Sequence, residues 1–367
     1  MRISLVHDFM VQDGGAERVL RAFCDIWPDA PIFTLVHNPQ NAPKSFEGCE
    51  IETSFLQKAP FGISKYQWYL PLMPAAIERL DLKNFDVVLS SSSAFAKGII
   101  TRPETMHICY CHTPTRYLWT DTLNYIDELK FNPLIKKIVP LFLPNLRIWD
   151  KLSATRVDKI IANSRTVQKR IQKYYNRESD VINPPVDAKK FSITDNPDNF
   201  YLIGGRLVPY KRYDIAVRTF SKLGIPLKIF GIGPEYKKLK NIAKPNIEFL
   251  GKVSEKEKAK LYKKCIAFLH PQEEDFGITA LEAMASGKPV IAYKKGGALE
   301  TVIPGITGEF FDEQIHECLM HTILNFKPEN YNPNRIREHA MQFDIENFKA
   351  RIKHYVEKNW YRHKMSA

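Results

Sequence analysis

Four stretches of the sequence put cations, carboxylates, glycines or an imidazole where they could act on a ligand. In Gly204-Gly205-Arg206-Leu207-Val208-Pro209-Tyr210-Lys211-Arg212, Arg206 and Lys211 flank a short loop. Both could converge on one diphosphate, arginine as a bidentate fork and lysine as a point charge; a solvated basic loop is the other reading. In Pro271–Pro289 the pattern predicts a helix from about Gly277 to Ser286, stopped by Gly287 and Pro289. Glu274 then lies in the loop before it and Glu282 on its second turn, the only charge among apolar or small residues. Such a carboxylate needs a partner, for instance sugar hydroxyls. Both acids could instead complement the helix dipole, which fits Glu274 better than Glu282. The start of this helix, Phe276-Gly277-Ile278, offers backbone N–H groups that can bind a phosphate.

The other two stretches lie in the first half. Asp13-Gly14-Gly15-Ala16-Glu17-Arg18 follows the first apolar run and opens a helix. Gly14 and Gly15 either let a ligand approach the backbone or only make a tight strand-to-helix turn. A dinucleotide fingerprint would need a third glycine, which is missing. His112, in Tyr110-Cys111-His112-Thr113-Pro114-Thr115-Arg116-Tyr117-Leu118-Trp119, ends a central strand, where it is either structural or a ligand contact.

These positions require a scaffold of alternating strands and helices. Ile3–His7, Ile32–Val36, Val87–Ser90, His107–Cys111 and Lys159–Asn163 read as strands bounded by turn residues and followed by helical patterns. Val181-Ile182-Asn183-Pro184-Pro185-Val186-Asp187 breaks the rhythm, because two prolines forbid a helix and favour an extended connection. Beyond it Phe200–Ile203, Leu227–Phe230, Ile247–Leu250, Ala267–His270 and Val290–Tyr293 restart the alternation. The expectation is an α/β protein of two doubly wound parallel sheets, residues 1–185 and 186–344. Ligands of such sheets bind beyond the carboxyl ends of the strands, in a cleft between the two. A last helix, about 345–367, crosses back to the first domain.

A length of 367 residues fits two cores, and 44% hydrophobic with 26% charged residues excludes disorder, collagen and coiled coil. No long apolar run is present, and Met1–Phe9 reads as a strand rather than a signal peptide. The six cysteines lack metal-ligand spacing and read as reduced core thiols. The net charge of +12 favours an anionic partner. Much of it is local: between Lys130 and Lys173 eleven basic residues face only Asp150 and Asp158. The tract Lys130–Lys151, like the aromatic run Tyr66–Pro74, mixes cations or rings with bulky apolar residues. That mixture suits an anionic membrane surface, and equally a core helix with a solvated basic face.

Taken together, these features resemble the GT-B glycosyltransferases of family 4, which are retaining enzymes. The resemblance is carried by the Gly14-Gly15 loop, Asn163-Ser164, Gly-Arg-Leu followed by Lys211, Phe230-Gly231-Ile232-Gly233-Pro234, and Glu274 and Glu282 with the Glu-x-Phe-Gly opening, spread over nearly the whole chain. His-Thr-Pro-Thr-Arg-Tyr-Leu-Trp and Asn-Pro-Pro-Val-Asp are similar to the subgroup of bacterial O-antigen and exopolysaccharide mannosyltransferases. The resemblance implies two Rossmann-like domains and a nucleotide-sugar donor held mainly by the second. Arg206 and Lys211 would grip the diphosphate and Glu282 the ribose; Glu274 would contact the transferred sugar. Phe276, Gly277 and Ile278 would line the donor site, and Gly14, Gly15 and His112 would approach from the first domain. Asp275 stands where the family often has glycine, and Pro-Pro-Val-Asp where it has Asn-Gly-Val-Asp. The first departure bears on the sugar pocket.

The chemistry expected is transfer of a hexose, mannose from GDP-mannose, to a lipid-linked oligosaccharide acceptor in cell-surface polysaccharide synthesis, at the inner face of the cytoplasmic membrane. Cleavage of the anomeric bond leaves charge on the departing phosphate, which fixed cations and helix dipoles stabilise. With no Asp-x-Asp motif, the transfer is expected to need neither metal nor cofactor and to proceed by front-face attack with retention. A covalent route would need a carboxylate beneath the sugar, and none is nominated. Competing readings are a UDP-sugar donor, a nucleotide-sugar 2-epimerase, a catalytically dead binding scaffold and, outside this class, a nucleic-acid-binding protein. No nucleic-acid partner is expected, because the basic tract is apolar-rich and matches no recognised module.

Overall fold

The computed structural model describes residues 1–42, 46–120, 122 and 133–366. The chain divides into two compact units, Met1–Asn183 with Phe348–Ala367, and Pro184–Asn347.

The first unit contains β1 (Ile3–His7), α1 (Gly15–Ile26), β2 (Ile32–Thr34), β3 (Ile51–Thr53), β4 (Val87–Ser92), β5 (Met106–Cys111), α2 (Pro133–Thr155), β6 (Lys159–Ala162), α3 (Arg165–Tyr175) and β7 (Asp180–Val181). Its seven strands lie in the order β3-β2-β1-β4-β5-β6-β7, all parallel. Every residue of β1, β4 and β5 is buried, as a parallel sheet covered on both faces demands. Helix α1 turns Val19, Leu20, Ala22 and Phe23 inward at helical spacing.

The second unit contains β8 (Tyr201–Gly204), α4 (Tyr213–Leu223), β9 (Leu227–Phe230), β10 (Ile247–Gly251), α5 (Glu255–Lys264), β11 (Phe268–His270), α6 (Ile278–Ala285), β12 (Val290–Tyr293) and β13 (Gly308–Phe311). Its six parallel strands run β10-β9-β8-β11-β12-β13. Each sheet therefore reverses its winding once, between β1 and β4 and between β8 and β11, and the loops at those two points are where a doubly wound sheet binds ligands. The last helix, α7 (Ile345–Ser366), buries Phe348, Ile352 and Val356. The Phe348 ring packs on Phe23 and Tyr110 at centroid distances of 6.1 and 5.9 Å.

The expected fold class, α/β with two doubly wound parallel sheets, is the one observed. Sequence periodicity omits β3, β7 and β13. All three are edge strands; β3 (Ile-Glu-Thr) and β7 (Asp-Val) are too polar to form an apolar run, and β13 opens on a glycine just after the Pro304-Gly305 turn. All six cysteines are free thiols; Cys49 and Cys318 are half-buried and the others buried. Among the described residues no helix is long and apolar enough to cross a membrane. Residues 130–132 of the basic tract lie outside the described residues.

Candidate active site

In the second unit the chemistry gathers where β8 and β11 end side by side. Strand β8 runs into Gly205, whose φ of +130° a side chain would strain, and an added Cβ would sit 3.2 Å from both the Lys211 Nζ and the Tyr213 hydroxyl. Gly231, at φ +118°, presses on the same loop: a Cβ there would run into the Gly205 carbonyl oxygen. The chain then turns through Pro209–Lys211 into α4, which brings the Lys211 ammonium within 2.9 Å of Glu274 Oε1. Both side chains are largely buried, at 12% and 17% exposure. Glu274 Oε1 also accepts from Gln272 Nε2 at 3.3 Å, and the His270 ring stands 3.9 Å from Glu274 Oε2. Burial by itself would raise the Glu274 carboxyl, but Lys211, His270 and the hydrogen bonds outweigh it and hold it at about 2. Burial likewise opposes charge on Lys211, and the Glu274 carboxylate more than offsets it, so the lysine is held above its ordinary value. The pair is a fixed ammonium and a fixed carboxylate at neutral pH.

Three buried polar atoms beside this pair, Tyr213 Oη, His270 Nε2 and Gln272 Oε1, have no hydrogen-bond partner among the described residues. Unsatisfied buried groups are costly unless a ligand or water completes them. Arg206 is exposed, and among the described residues its guanidinium makes no ion pair. The structure thus puts Lys211 with Glu274 and leaves the Arg206 side chain exposed.

Helix α6 starts after Gly277, which takes φ +93°, and buries every residue from Ala280 to Ala285. Ile278, its first residue, is half-buried, and Phe276 just before it is buried. Glu282, 2% exposed, is not left to a ligand alone: Lys258 Nζ on α5 reaches its Oε1 at 3.0 Å and the Tyr262 hydroxyl its Oε2 at 3.1 Å. The partner that a buried carboxylate needs is thus supplied by the protein itself. The sequence hid this because Glu-Lys-Glu-Lys-Ala-Lys-Leu-Tyr reads as a solvated helix face, whereas tertiary packing folds Lys258 and Tyr262 inward. The Glu274 loop is itself held by the Gly296-Gly297 turn, where the Gly297 N–H donates to the Glu274 carbonyl at 2.8 Å.

In the first unit Gly14 caps α1, and its N–H donates to Glu17 Oε2 at 2.9 Å, with Gly15 as the first helical residue. His112, just past β5, is 9% exposed, with Nε2 2.8 Å from Ser91 Oγ. Burial, and next the neighbouring His7, push its pKa down to about 3, so the ring is neutral at pH 7. The conspicuous Thr115-Arg116-Tyr117-Leu118-Trp119 stretch has a second role: Thr115 Oγ1 and Trp119 Nε1 both donate to the buried Asp150 carboxylate, at 2.7 Å each.

Residues 13–190 match the family model Glycosyltransferase Family 4, and residues 187–343 match Glycosyl transferases group 1. An uncharacterized glycosyltransferase of Methanocaldococcus jannaschii is 35% identical over 183 residues, 48% of this chain and 52% of that protein. A GDP-mannose-dependent alpha-mannosyltransferase of Mycolicibacterium smegmatis is 29% identical over 47% of this chain and 49% of its own length. An alpha-1,3/1,6-mannosyltransferase ALG2 of Dictyostelium discoideum is 25% identical over 54% of this chain and 56% of its own. The chain spans about half the length of these curated relatives. Among solved structures, HepE of Anabaena in complex with UDP superposes with a TM-score of 0.73 at 18% identity, covering 98% of this chain and 100% of that one. Sucrose-phosphate synthase of Thermosynechococcus elongatus gives 0.74 at 15% identity over 98% and 100%. The shared fold is GT-B. With one model matching the first half of the sequence and the other the second, the chain belongs to the family 4 glycosyltransferases.

Proposed function

We propose that this protein transfers a hexose, mannose from GDP-mannose, to a lipid-linked oligosaccharide acceptor, with retention and without a metal. The observation that carries the reading is the Lys211–Glu274 pair at the winding reversal of the second sheet, with unpartnered polar groups around it. In this reading Arg206 and Lys211 neutralise the departing diphosphate, the device that matters most when charge develops on a leaving group. Glu274 touches the transferred sugar and Glu282 the ribose, with Lys258 and Tyr262 fixing the Glu282 carboxylate. The acceptor hydroxyl attacks the anomeric carbon from the face the diphosphate leaves, and its proton passes to a phosphate oxygen. Mannose is favoured by the mannosyltransferases among the relatives. The second reading is a UDP-sugar donor, favoured by the UDP and UDP-glucose named in the HepE complexes.

A thermal-shift panel of GDP, UDP, GDP-mannose, UDP-glucose and UDP-N-acetylglucosamine, with and without EDTA, separates the two, because a ligand of the folded state must raise the melting temperature. The expected result is selective stabilisation by GDP and GDP-mannose that EDTA leaves unchanged. A UDP-selective shift replaces the donor, a shift abolished by EDTA overturns metal independence, and no shift overturns the nucleotide-sugar reading.

The lipid-linked acceptor would bring the protein to a membrane surface. Helix α2 supports this: Leu141, Ile148 and Leu152 are 73%, 60% and 57% exposed on one stripe, next to the exposed Lys151. In the aromatic run Tyr66–Pro74, Trp68 is 51% exposed with Lys65 Nζ 4.2 Å over its ring. Exposed apolar residues interleaved with cations suit an anionic interface. Co-sedimentation with anionic vesicles at low salt is expected, with none on neutral vesicles; equal failure on both excludes the docking.

A further inference from the structure

Behind His112 lies a chain of polar contacts that the proposed transfer does not by itself require. The Gly14 N–H donates to Glu17 Oε2 at 2.9 Å; Glu17 Oε1 faces His7 Nε2 at 3.9 Å; His7 Nδ1 is 3.1 Å from Ser91 Oγ; and Ser91 Oγ is 2.8 Å from His112 Nε2. Glu17, His7 and Ser91 are each 3% exposed or less. The members come from β1, α1, β4 and the end of β5, and the winding reversal of the first sheet is what brings them together.

The polarity of this chain is fixed by what each group can do. A hydroxyl between two imidazole nitrogens donates to one and accepts from the other. A carboxylate only accepts, so with a single ring proton on His7 that proton sits on Nε2, facing Glu17, and Nδ1 is a lone pair. Ser91 then donates to His7 Nδ1 and accepts from an Nε2–H of His112. The neutral His112 ring has one proton, so its Nδ1 is left as a lone pair, and among the described residues no side chain or backbone group hydrogen-bonds to it. The opposite polarity would point two lone pairs at each other between Glu17 and His7.

We propose that Glu17, His7 and Ser91 are positioning residues that lock His112 in the Nε2–H tautomer, so that His112 Nδ1 is presented as an acceptor for a hydroxyl of the sugar ligand. That the ligand is a sugar rests on the proposed function; the tautomer does not. The relay also explains why the Gly14-Gly15 turn and His112 belong to one apparatus: the Gly14 N–H holds the carboxylate whose charge sets the tautomer.

Glu17→Gln tests the relay directly. The Gly14 N–H demands an acceptor at its end of the side chain, so the amide oxygen goes there and the NH2 faces His7. Each proton in the chain then reverses, and His112 becomes the Nδ1–H tautomer. The experiment is long-range proton–nitrogen NMR of the full-length protein labelled with 15N-histidine, with His112 assigned by its loss in His112→Gln. Expected are Nε2–H in wild type and in Ser91→Thr, which keeps the hydroxyl, and Nδ1–H in Glu17→Gln. Expected with it is a fall in kcat of about tenfold, one hydrogen bond's contribution, with donor KM within about twofold. An Nδ1–H ring in wild type, or a Glu17→Gln variant with wild-type ring shifts, overturns the relay; so do unchanged shifts and kcat in Ser91→Ala. If the tautomer reverses as expected but wild type turns over no nucleotide sugar, the relay stands and the proposed function falls.

Discussion

Lys211→Ala is expected to lower turnover by about 10²- to 10³-fold, the scale of losing one preorganised group that stabilises developing negative charge. The measurement is release of nucleoside diphosphate from the nucleotide sugar that stabilises the protein, with acceptor saturating. The lysine has two functions in the structure, and the variant removes both. Its ammonium lies 2.9 Å from Glu274 in a largely buried site, so deleting it also leaves a carboxylate without its counter-charge. Breaking such a pair from one side costs about 3–5 kcal/mol of stability, whereas replacing both partners with apolar groups is often neutral. The double variant Lys211→Met with Glu274→Leu therefore separates the effects: stability returns towards wild type and turnover does not. Wild-type turnover in Lys211→Ala would remove the lysine from the mechanism. Recovery of turnover in the double variant would mean that the pair only holds the loop.

Asp150→Ala is expected to destabilise the first unit by about 3–5 kcal/mol, the largest effect anticipated away from the candidate site. Asp150 is 1% exposed and its carboxylate satisfies four donors. Lys97 Nζ at 2.5 Å and Thr115 Oγ1 at 2.7 Å meet Oδ1, while Trp119 Nε1 at 2.7 Å and the Tyr175 hydroxyl at 2.9 Å meet Oδ2. Lys97 is itself only 3% exposed, so the alanine variant strands a buried ammonium and three polar hydrogens together. Burial first, and then Asp150, holds the Tyr175 hydroxyl well above its ordinary value, so it stays protonated and able to donate. Because the chain has two units, urea unfolding should be followed by a probe confined to the first, such as Trp119 or Trp149 fluorescence in variants lacking the other tryptophans. A loss below about 1 kcal/mol would show that water or a neighbour takes over the four donors.

Much of the architecture was determined by the sequence by itself. Ile3–His7, Leu227–Phe230 and Val290–Tyr293 are strands at the residues expected, because a buried parallel strand is a short apolar run between turn residues and that property is local. The glycines that interrupt those runs also announce themselves, since Gly205, Gly231 and Gly277 take φ values that other residues avoid. The loops carrying Arg206, Lys211, Glu274 and His112 could be placed at strand ends for the same reason.

Only the tertiary structure decided which charges face one another. Lys211 and Glu274 are 63 positions apart in the chain, and nothing local pairs them until β8 and β11 lie side by side. Lys258 and Tyr262 sit in a helix whose composition reads as solvent-facing, yet they close on Glu282 inside the second core. Asp8 is a single acid after a strand in the sequence, and in the fold its carboxylate collects the backbone N–H groups of Ser93, Ala94, Phe95 and Ala96 at 2.5 to 3.0 Å. His7, Ser91 and Glu17 likewise carry no local mark. A strand or helix is specified by its neighbours along the chain, within a few residues. A buried ion pair or a fixed tautomer is specified by whichever groups the winding of the sheet brings within about 3 Å, and desolvation there makes each unpaired partner too costly to leave.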